Sequence, residues 1–458
     1  MDALQIAGAV RDGSASAVDI ARAALARAER FQDRFGAFAT VTSDLALEQA
    51  ATVDAAVAAG TLDDAPLAGV PLPIKDLVEV AGVPFEAGSA ALRGNVGQRT
   101  DVVAERLRMA GSVMVGKTAT PEFGFPCYTE PDGAPPAATP WDASRGAGGS
   151  SGGAAVAVAT SIVPLAHGSD GGGSIRIPAA SCGLVGHKAS RGLIDTMPSR
   201  TPGPGLAVDG VLTRSVSDTA LALDVLAPGN RFLAGLRSAP RGVRIGVTTT
   251  PFISETAVVD RVCEEAVTQA AGWLRALRHQ VDPAPAPFAA SEWAAFDAIW
   301  TTGAASIPLP PGAEGSLTPM TAWLRERGRQ VSGVDYAAAL ATMQRITVQT
   351  AEKWSDFDVI LTPTLAQPPA RVGGLRDDAD PAADFAAQID YTPWTSVANL
   401  TGRPSISLPL VRTRVDGTVL PIGVMLTGKR GDDGLLLRLA AQLQQAHPWP
   451  RIPPHLEL

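Results

Sequence analysis

The chain of 458 residues is predicted to fold as an α/β protein, a sheet covered by helices. Three observations carry this. Helical and strand-like stretches alternate through 65–225 and again through 361–458. Gly and Pro punctuate the short β-branched runs between them. A content of 46% hydrophobic against 18% charged residues is enough to bury a large core. Length alone would give roughly three domains at about 150 residues each.

The elements follow in order. Residues 1–60 read as an N-terminal helical layer, because Ser14 and Ser16 offer caps and apolar side chains return every three or four residues through AVDIARAALARAERF. At LAGVPLPIKDLVEVAGV the pattern changes to short runs broken by Gly and Pro, and TDVVAERLRMAGSVMVGKT then gives a helix and a strand. The run AAVAVATSIVPLAHGSDGGGSIRIPAASCGLVGHK reads as helix, strand, glycine turn, helix start and strand. Between 226 and 360 the chain becomes helical, with Trp273, Trp293, Trp300, Trp323 and the loop SIPLPPGAEGSLTP, and a cap or insertion is expected there. RVGGLRDDADPAADF reads as an exposed acidic loop, after which SVANLTGRPSISLPL and VLPIGVMLTGKRGDDGLLLRLAAQLQ restore the strand and helix alternation. No internal repeat is visible.

Charge and cysteine usage narrow the partners. The net charge is −8, and no block of like charges offers a surface for nucleic acid or an anionic membrane, so a small neutral or cationic partner fits better. Cys127, Cys182 and Cys263 show no C-x-x-C spacing and are too sparse for a disulfide framework, which points to a reducing compartment. The N-terminus lacks the basic and apolar regions of a secretory signal, and the longest apolar run, 154–166, is too short to span a bilayer. A cytoplasmic protein is expected.

The stretch GAGGSSGG at 146–153 has the composition of a linker but sits inside an apolar segment. It matches G-x-S-x-G twice, at Ser150 and Ser151, the pattern of a nucleophile elbow; TPWDASRGA before it is a polar loop, where an elbow needs a strand. Among five histidines, His279 falls on a helical surface, His447 and His455 in the Pro-rich tail, and His187 at a strand end. His167 alone lies in the motif region, and a lone histidine is more often a packing residue than a base. Serine chemistry here needs a different base. Gly171, Gly172 and Gly173 ahead of Ser174 let consecutive amides converge as an oxyanion hole beside a hydroxyl nucleophile; a plain glycine turn is the equal alternative. Lys75 stands in an apolar run where desolvation would lower its pKa and make it a base; the alternative is a strand-end lysine snorkelling to solvent or paired with Asp76 or Glu79. No phosphate-binding glycine loop and no His/Cys metal cluster is present in the sequence.

With these residues in hand, GAGGSSGGAAVAVATSIVPLAHGSDGGGSIRIPAASCGLVGHK closely resembles the signature of the amidase signature family, hydrolases of carboxamide bonds. The segments GVPLPIKDLVEVAGV, GKTATPEFGF, TPWDASR, GVLTRSVSDTALALDVLA, DVILTPTLAQPPA, ANLTGRPSISLPL and PIGVMLTGKRGDDGLLLRLAAQL extend the resemblance in family order over most of the chain. It implies one domain over 1–458, with 65–225 as the signature core, 226–360 as a variable substrate-pocket region and 361–458 as the return to the core. It also implies the amidase signature fold, a central mixed sheet of about eleven strands with helices on both faces. The family triad is Ser, a serine after a cis peptide, and Lys; the resemblance maps these roles onto Ser174, Ser150 and Lys75. It places the oxyanion hole at the amides of Gly171, Gly172, Gly173 and Ser174, gives Asp170 and Arg176 supporting roles, and leaves Ser151 a structural one. No metal or organic cofactor is implied.

Departures from the family pattern fall at Gly171, where Thr, Ile or Ala is usual, and at His187, Ala189 and Ser190. Phe125, Cys127, Tyr128 and Thr129, in the altered run after Pro-Glu-Phe, and Trp394 are the candidate pocket residues, with a core role the alternative for the aromatics. The resemblance leans toward bacterial members acting on nylon-type cyclic or linear amides, aryl amides and urethanes, working as a monomer or homodimer on a small-molecule amide or carbamate. Competing readings are the glutaminase subunit of a tRNA-dependent amidotransferase, which the acidic charge disfavours, and a Ser-His-Asp α/β-hydrolase esterase.

Overall fold

The computed structural model describes every residue except 63, 64, 202, 451, 454, 455, 457 and 458, so His455 lies outside the described residues. Three helices open the chain: α1 (Ala3–Arg11), α2 (Ala17–Phe35) and α3 (Ser43–Ala58). Asp2 and Ser16 cap the first two, while the expected cap Ser14 instead donates to the Ala9 carbonyl at 3.2 Å. Helix α2 ends where Gly36 takes φ 62°, a left-handed C-cap that glycine adopts without Cβ strain.

Eleven strands are found among the described residues, in two sheets rather than the single sheet expected from the family resemblance. The smaller contains β1 (Phe38–Val41), β2 (Ile74–Lys75) and β3 (Gly116–Thr118) in the order β1-β3-β2. Pro73 stands immediately before β2 and cannot donate to a ladder. The larger sheet contains β4 (Leu165–Asp170), β5 (Val185–Lys188), β6 (Val208–Thr213), β7 (Arg244–Val247), β8 (Gln280–Pro283), β9 (Val359–Pro363), β10 (Ser405–Val415) and β11 (Thr418–Gly428). Its order is β4-β6-β5-β10-β11-β9-β7-β8; β9, β7 and β8 run parallel and the other neighbours antiparallel. Strands β7 and β8 lie inside the 226–360 segment read above as helical. Each is four residues long, β7 with one exposed residue and β8 with three, too short to register as an alternating pattern.

The remaining helices are α4 (Val102–Met109), α5 (Gly152–Ala159), α6 (Arg176–Cys182), α7 (Val216–Leu226), α8 (Phe232–Gly235), α9 (Arg261–Ala276), α10 (Ala294–Ala305), α11 (Pro319–Gln330), α12 (Gly333–Lys353), α13 (Pro381–Tyr391), α14 (Thr395–Thr401) and α15 (Asp433–Ala446). The acidic stretch 371–385 is loop only in its first part. From Pro381 it is helical, because Asp380 caps α13 and Pro381 occupies its first turn, and Asp384 is buried rather than exposed.

Helix α5 is apolar on every side and fully buried, which is what a helix in the middle of a core requires. It packs against β4, whose His167 amide donates to the Pro73 carbonyl at 3.0 Å. That bond joins the small sheet to the large one. It also sets the end of β2 against β4, where the two chemically distinctive segments of the sequence meet. No described helix is long and apolar enough to cross a membrane.

Candidate active site

Residues 146–153 are a packed turn, not a linker. A Cβ at Gly149 would lie 2.6 Å from the Tyr128 carbonyl oxygen, and one at Gly152 would lie 2.4 Å from Thr129 Oγ1, so both positions require glycine for close approach. Thr129 Oγ1 donates to the Gly148 carbonyl at 2.9 Å and accepts from the Gly152 amide at 3.2 Å. The Gly149–Ser150 peptide is cis. The Ser151 amide donates to the Ser174 carbonyl at 3.1 Å, which ties the serine loop to the second serine. Ser151 Oγ donates to the Ser169 carbonyl at 3.2 Å, a structural contact.

Lys75, at the end of β2, is fully buried and its ammonium nitrogen lies 2.8 Å from Ser150 Oγ, 3.2 Å from Ser169 Oγ and 3.3 Å from the Ser169 carbonyl. Burial lowers its pKa from 10.5 to about 7, against the opposing charges of Asp170 and Asp209. A large fraction of this lysine is therefore neutral near pH 7 and able to accept a proton. It is not paired with Asp76 or Glu79. Asp76 is 2.6 Å from Lys117 Nζ in a separate buried ion pair, and Glu79 bonds Arg99 at the surface. With those carboxylates engaged elsewhere, Lys75 Nζ faces two hydroxyls and a backbone carbonyl.

His167 stands behind this lysine rather than beside a serine. Its Nδ1 accepts the Lys75 backbone N–H at 3.3 Å, which puts its proton on Nε2, 3.0 Å from Asp209 Oδ1. Both ring nitrogens are occupied. His279, expected on a surface, is buried: its Nδ1 accepts from the Val243 amide at 3.2 Å and its Nε2 lies 3.0 Å from Gln442 Oε1. His187 and Ser190 both bind Asp433 of α15, at 3.0 and 2.5 Å, while Ala189 is buried in the core. The departures at 187 and 190 thus serve one buried polar contact between β5 and α15.

The glycine turn follows β4 directly. Asp170 Oδ1 accepts from the Gly173 amide at 2.8 Å, Oδ2 accepts from the Ile175 amide at 3.2 Å, and both oxygens are held at 2.9 Å by Arg176. Burial alone would raise this carboxyl, but the charge and hydrogen bonds of Arg176 outweigh it and hold Asp170 well below the usual carboxylate range. Arg176 also donates to the Thr395 carbonyl and to Asn399 Oδ1, each at 2.7 Å. Asn399 Nδ2 donates to the Asp170 carbonyl and Oδ1 at 2.9 Å, and Thr395 Oγ1 donates to the Gly172 carbonyl at 2.6 Å. The turn is pinned from two sides.

This changes the candidate oxyanion hole. The Gly173 N–H is already spent on Asp170, so Gly173 drops out as a donor. Its glycine has another cause: φ is 139°, and a Cβ would lie 2.6 Å from both Ile177 Cδ1 and Thr395 Oγ1. The amides of Gly171, Gly172 and Ser174 donate to no protein acceptor among the described residues.

Ser174 and Gly172 border a cavity, and Lys75 and Ser150 are not among its lining residues. Its walls include Phe125, Cys127, Trp293, Phe296, Trp300 and Phe385. Of the five expected pocket residues, Phe125 and Cys127 line it and three do not. Tyr128 turns its hydroxyl to Asp384 at 2.6 Å, Thr129 braces the serine loop, and Trp394 is buried in the core with Nε1 donating to the Thr250 carbonyl at 2.8 Å. Burial raises the Cys127 thiol pKa, so that side chain is not a thiolate. Trp273 stacks on His447 away from the cavity, and Trp323 sits behind Phe385. Ser169, Thr395 and Asn399 are functional candidates the sequence reading missed. Ser169 was signalled by its place beside Asp170 on β4; the other two had no signal beyond an unremarkable helical stretch. Among the described residues no cluster of three or more His, Cys, Asp or Glu side chains is built to hold a metal.

The family model described as Amidase matches residues 19–437. The 6-aminohexanoate-cyclic-dimer hydrolase of Paenarthrobacter ureafaciens is 32% identical over 484 aligned positions, covering 98% of this chain and 95% of that protein. A solved structure of 6-aminohexanoate cyclic dimer hydrolase complexed with substrate superposes with a TM-score of 0.90 at 29% identity, covering 100% of this chain and 99% of that one. A bacterial aryl acylamidase structure of the amidase signature family superposes with a TM-score of 0.85 at 27% identity, covering 98% and 96%.

Proposed function

This chain belongs to the amidase family and is an amide-hydrolysing enzyme; on that premise we propose that it cleaves carboxamide C–N bonds through an acyl-enzyme on Ser174. The observation that carries the proposal is the buried Lys75 nitrogen 2.8 Å from Ser150 Oγ, with no carboxylate partner of its own. A lysine so placed is a base, and Ser150, on the loop whose Ser151 amide bonds the Ser174 carbonyl at 3.1 Å, is the proposed relay to Ser174.

In the proposed reaction neutral Lys75 takes the Ser150 proton while Ser150 takes that of Ser174. Ser174 Oγ attacks the acyl carbon, and the C=O π pair moves onto oxygen, where the amides of Gly171, Gly172 and Ser174 donate to it. Collapse restores the carbonyl and expels the nitrogen, which takes a proton from Ser150 as the Lys75 ammonium resupplies it. Water then attacks the ester by the same relay, giving the acid and free Ser174. Asp170, Arg176, Asn399 and Thr395 hold the glycine turn still, so its dipoles need no reorganisation as charge develops.

Aryl and alkyl amides are the proposed substrates. Carbamates and esters present the same carbonyl with a leaving group and are proposed as secondary ones. The test is hydrolysis of 4-nitroacetanilide by purified protein and by Ser174→Ala. Wild-type turnover with at least a thousandfold loss in a variant of unchanged melting midpoint is expected. Activity surviving the substitution contradicts the assignment.

A further inference from the structure

We propose that Trp300 is a specificity-determining residue, seated on the bare backbone of the glycine turn, and that it selects substrates with an uncharged, planar aromatic acyl group. The inference rests on the acyl-enzyme reading of Ser174, because the acyl group is the part that stays bonded beside the cavity.

The starting observation is that two of the three glycines have no backbone reason to be glycine. Gly171 and Gly172 have φ values that any residue adopts, unlike Gly173. What a Cβ would meet is a ring. At Gly171 it would lie 3.0 Å from Trp300 Cζ3 and 3.3 Å from Cη2, with the next atom 3.8 Å away; at Gly172 it would lie 3.3 Å from Phe296 Cζ. The absence of side chains at these positions lets the ring edges of an aromatic wall abut the loop that carries the candidate oxyanion donors.

That wall has a simple origin in sequence. Trp293, Phe296 and Trp300 recur at helical spacing along the start and body of α10, so they share one face. Trp293 and Phe296 stack at 5.0 Å and 20°, Phe296 and Trp300 at 5.2 Å and 22°, and Phe125 closes edge-on to Trp300 at 5.3 Å and 85°. All four line the cavity that Ser174 borders.

Apart from Ser174, the loop amides beside it and the Trp300 indole N–H, the polar groups that line the cavity are already engaged. Ser396 Oγ accepts from Trp293 Nε1 at 2.9 Å, Gln388 binds the Cys127 amide at 2.7 Å and Asp384 at 2.6 Å, and Thr392 Oγ1 donates to the Gln388 carbonyl at 2.8 Å. No Asp, Glu, Lys, Arg or His is among the lining residues described. A carboxylate or ammonium on the acyl group would lose its water there and gain no partner. A flat ring would gain edge-to-face or offset contacts with the aromatic wall that Trp300 anchors.

The probes are the 4-nitroanilides of benzoic, cyclohexanecarboxylic and glutaric acids, which share a leaving group and differ in planarity and charge. The expected wild-type kcat/KM favours benzoyl over cyclohexanecarbonyl by about 5- to 10-fold, with the glutaryl compound slowest. Trp300→Leu should abolish that preference and Trp300→Phe should keep it. Gly171→Val should slow every anilide by displacing the ring and the loop, and Gly171→Val/Trp300→Ala should be faster than Gly171→Val alone. A preference untouched by Trp300→Leu, a glutaryl anilide as fast as the benzoyl one, or simple additivity of the two substitutions overturns the proposal. Calorimetric binding of benzamide against cyclohexanecarboxamide to the Ser174→Ala protein separates the two readings. A Trp300-dependent benzamide preference without any anilide turnover would sink the acyl-enzyme reading alone. Anilide turnover indifferent to residue 300 would sink this inference alone.

Discussion

Replacing Lys75 by Met should make the protein inactive and more stable, in a pH-dependent way. The lysine is fully buried and burial moves it from 10.5 to about 7, which at 1.36 kcal/mol per tenfold is about 5 kcal/mol of folding free energy. The substitution leaves Ser150 Oγ without its buried partner, which costs about 1–3 kcal/mol. The net gain is then about 2–4 kcal/mol. Between about 7 and 10.5 the unfolded chain holds a proton on this lysine that the folded one lacks, so wild-type stability rises with pH across that window. Below it the penalty is fully present; above it the penalty is gone. An unfolding entropy of about 2.1 cal/mol/K per residue makes each kcal/mol worth roughly 1 °C in a chain of 458 residues. Scanning calorimetry should therefore find Lys75→Met melting about 2–4 °C above wild type at pH 6, with the gap closing as pH rises through the window and reversing by about pH 10, where only the Ser150 cost remains. A gap that does not change with pH, or a variant less stable throughout, would refute the claim that this lysine is held against its own charge.

Further outcomes follow from the same geometry. The kcat/KM for an anilide should rise with pH through about 7, as neutral Lys75 becomes the dominant form, and a flat profile from pH 5 to 9 would contradict its role as base. Asn399→Ala removes donors to the Asp170 carbonyl and carboxylate and to the Leu206 carbonyl, and should cut kcat about 10- to 100-fold while KM moves little; stopped-flow and steady-state kinetics read this split. His167→Asn should keep the pre-steady-state burst of nitroaniline, since the ring binds a backbone amide and Asp209 rather than a serine; a folded variant without the burst would restore a histidine base.

Much of this was legible in the residues, for identifiable reasons. Helix α5 and strand β4 are strongly patterned, and the glycines of 146–153 and 171–173 mark backbone that must come close to other backbone. The apolar flanks of Lys75 pointed to a desolvated lysine, which the structure buries, but left a snorkelling or ion-paired lysine open as the alternative. The partition of the strands into two sheets was not readable, since β2 is two residues long and is defined by pairing with β3, Lys75 against Thr118, across 43 residues of sequence separation. Nor was the fate of the Gly173 amide. Counting glycines shows that three amides converge, while the Asp170 carboxylate that claims one of them is a matter of side-chain direction. The pocket was the least legible part: Phe125 and Cys127 reach it, but Trp300 and Phe296 arrive from a helix about 125 residues downstream of Gly171 whose only sequence mark was aromatic content.

The central claim is that Ser174, and not Ser150 or Ser151, forms the covalent bond. Trypsin leaves all three on one peptide, 146–176, bounded by Arg145 and Arg176. Labelling the native enzyme with phenylmethylsulfonyl fluoride and sequencing that peptide by tandem mass spectrometry distinguishes them. The account predicts a sulfonyl adduct on Ser174, slowed at least a hundredfold in Lys75→Met. An adduct on Ser150 or Ser151, with Ser174 unmodified, would contradict it.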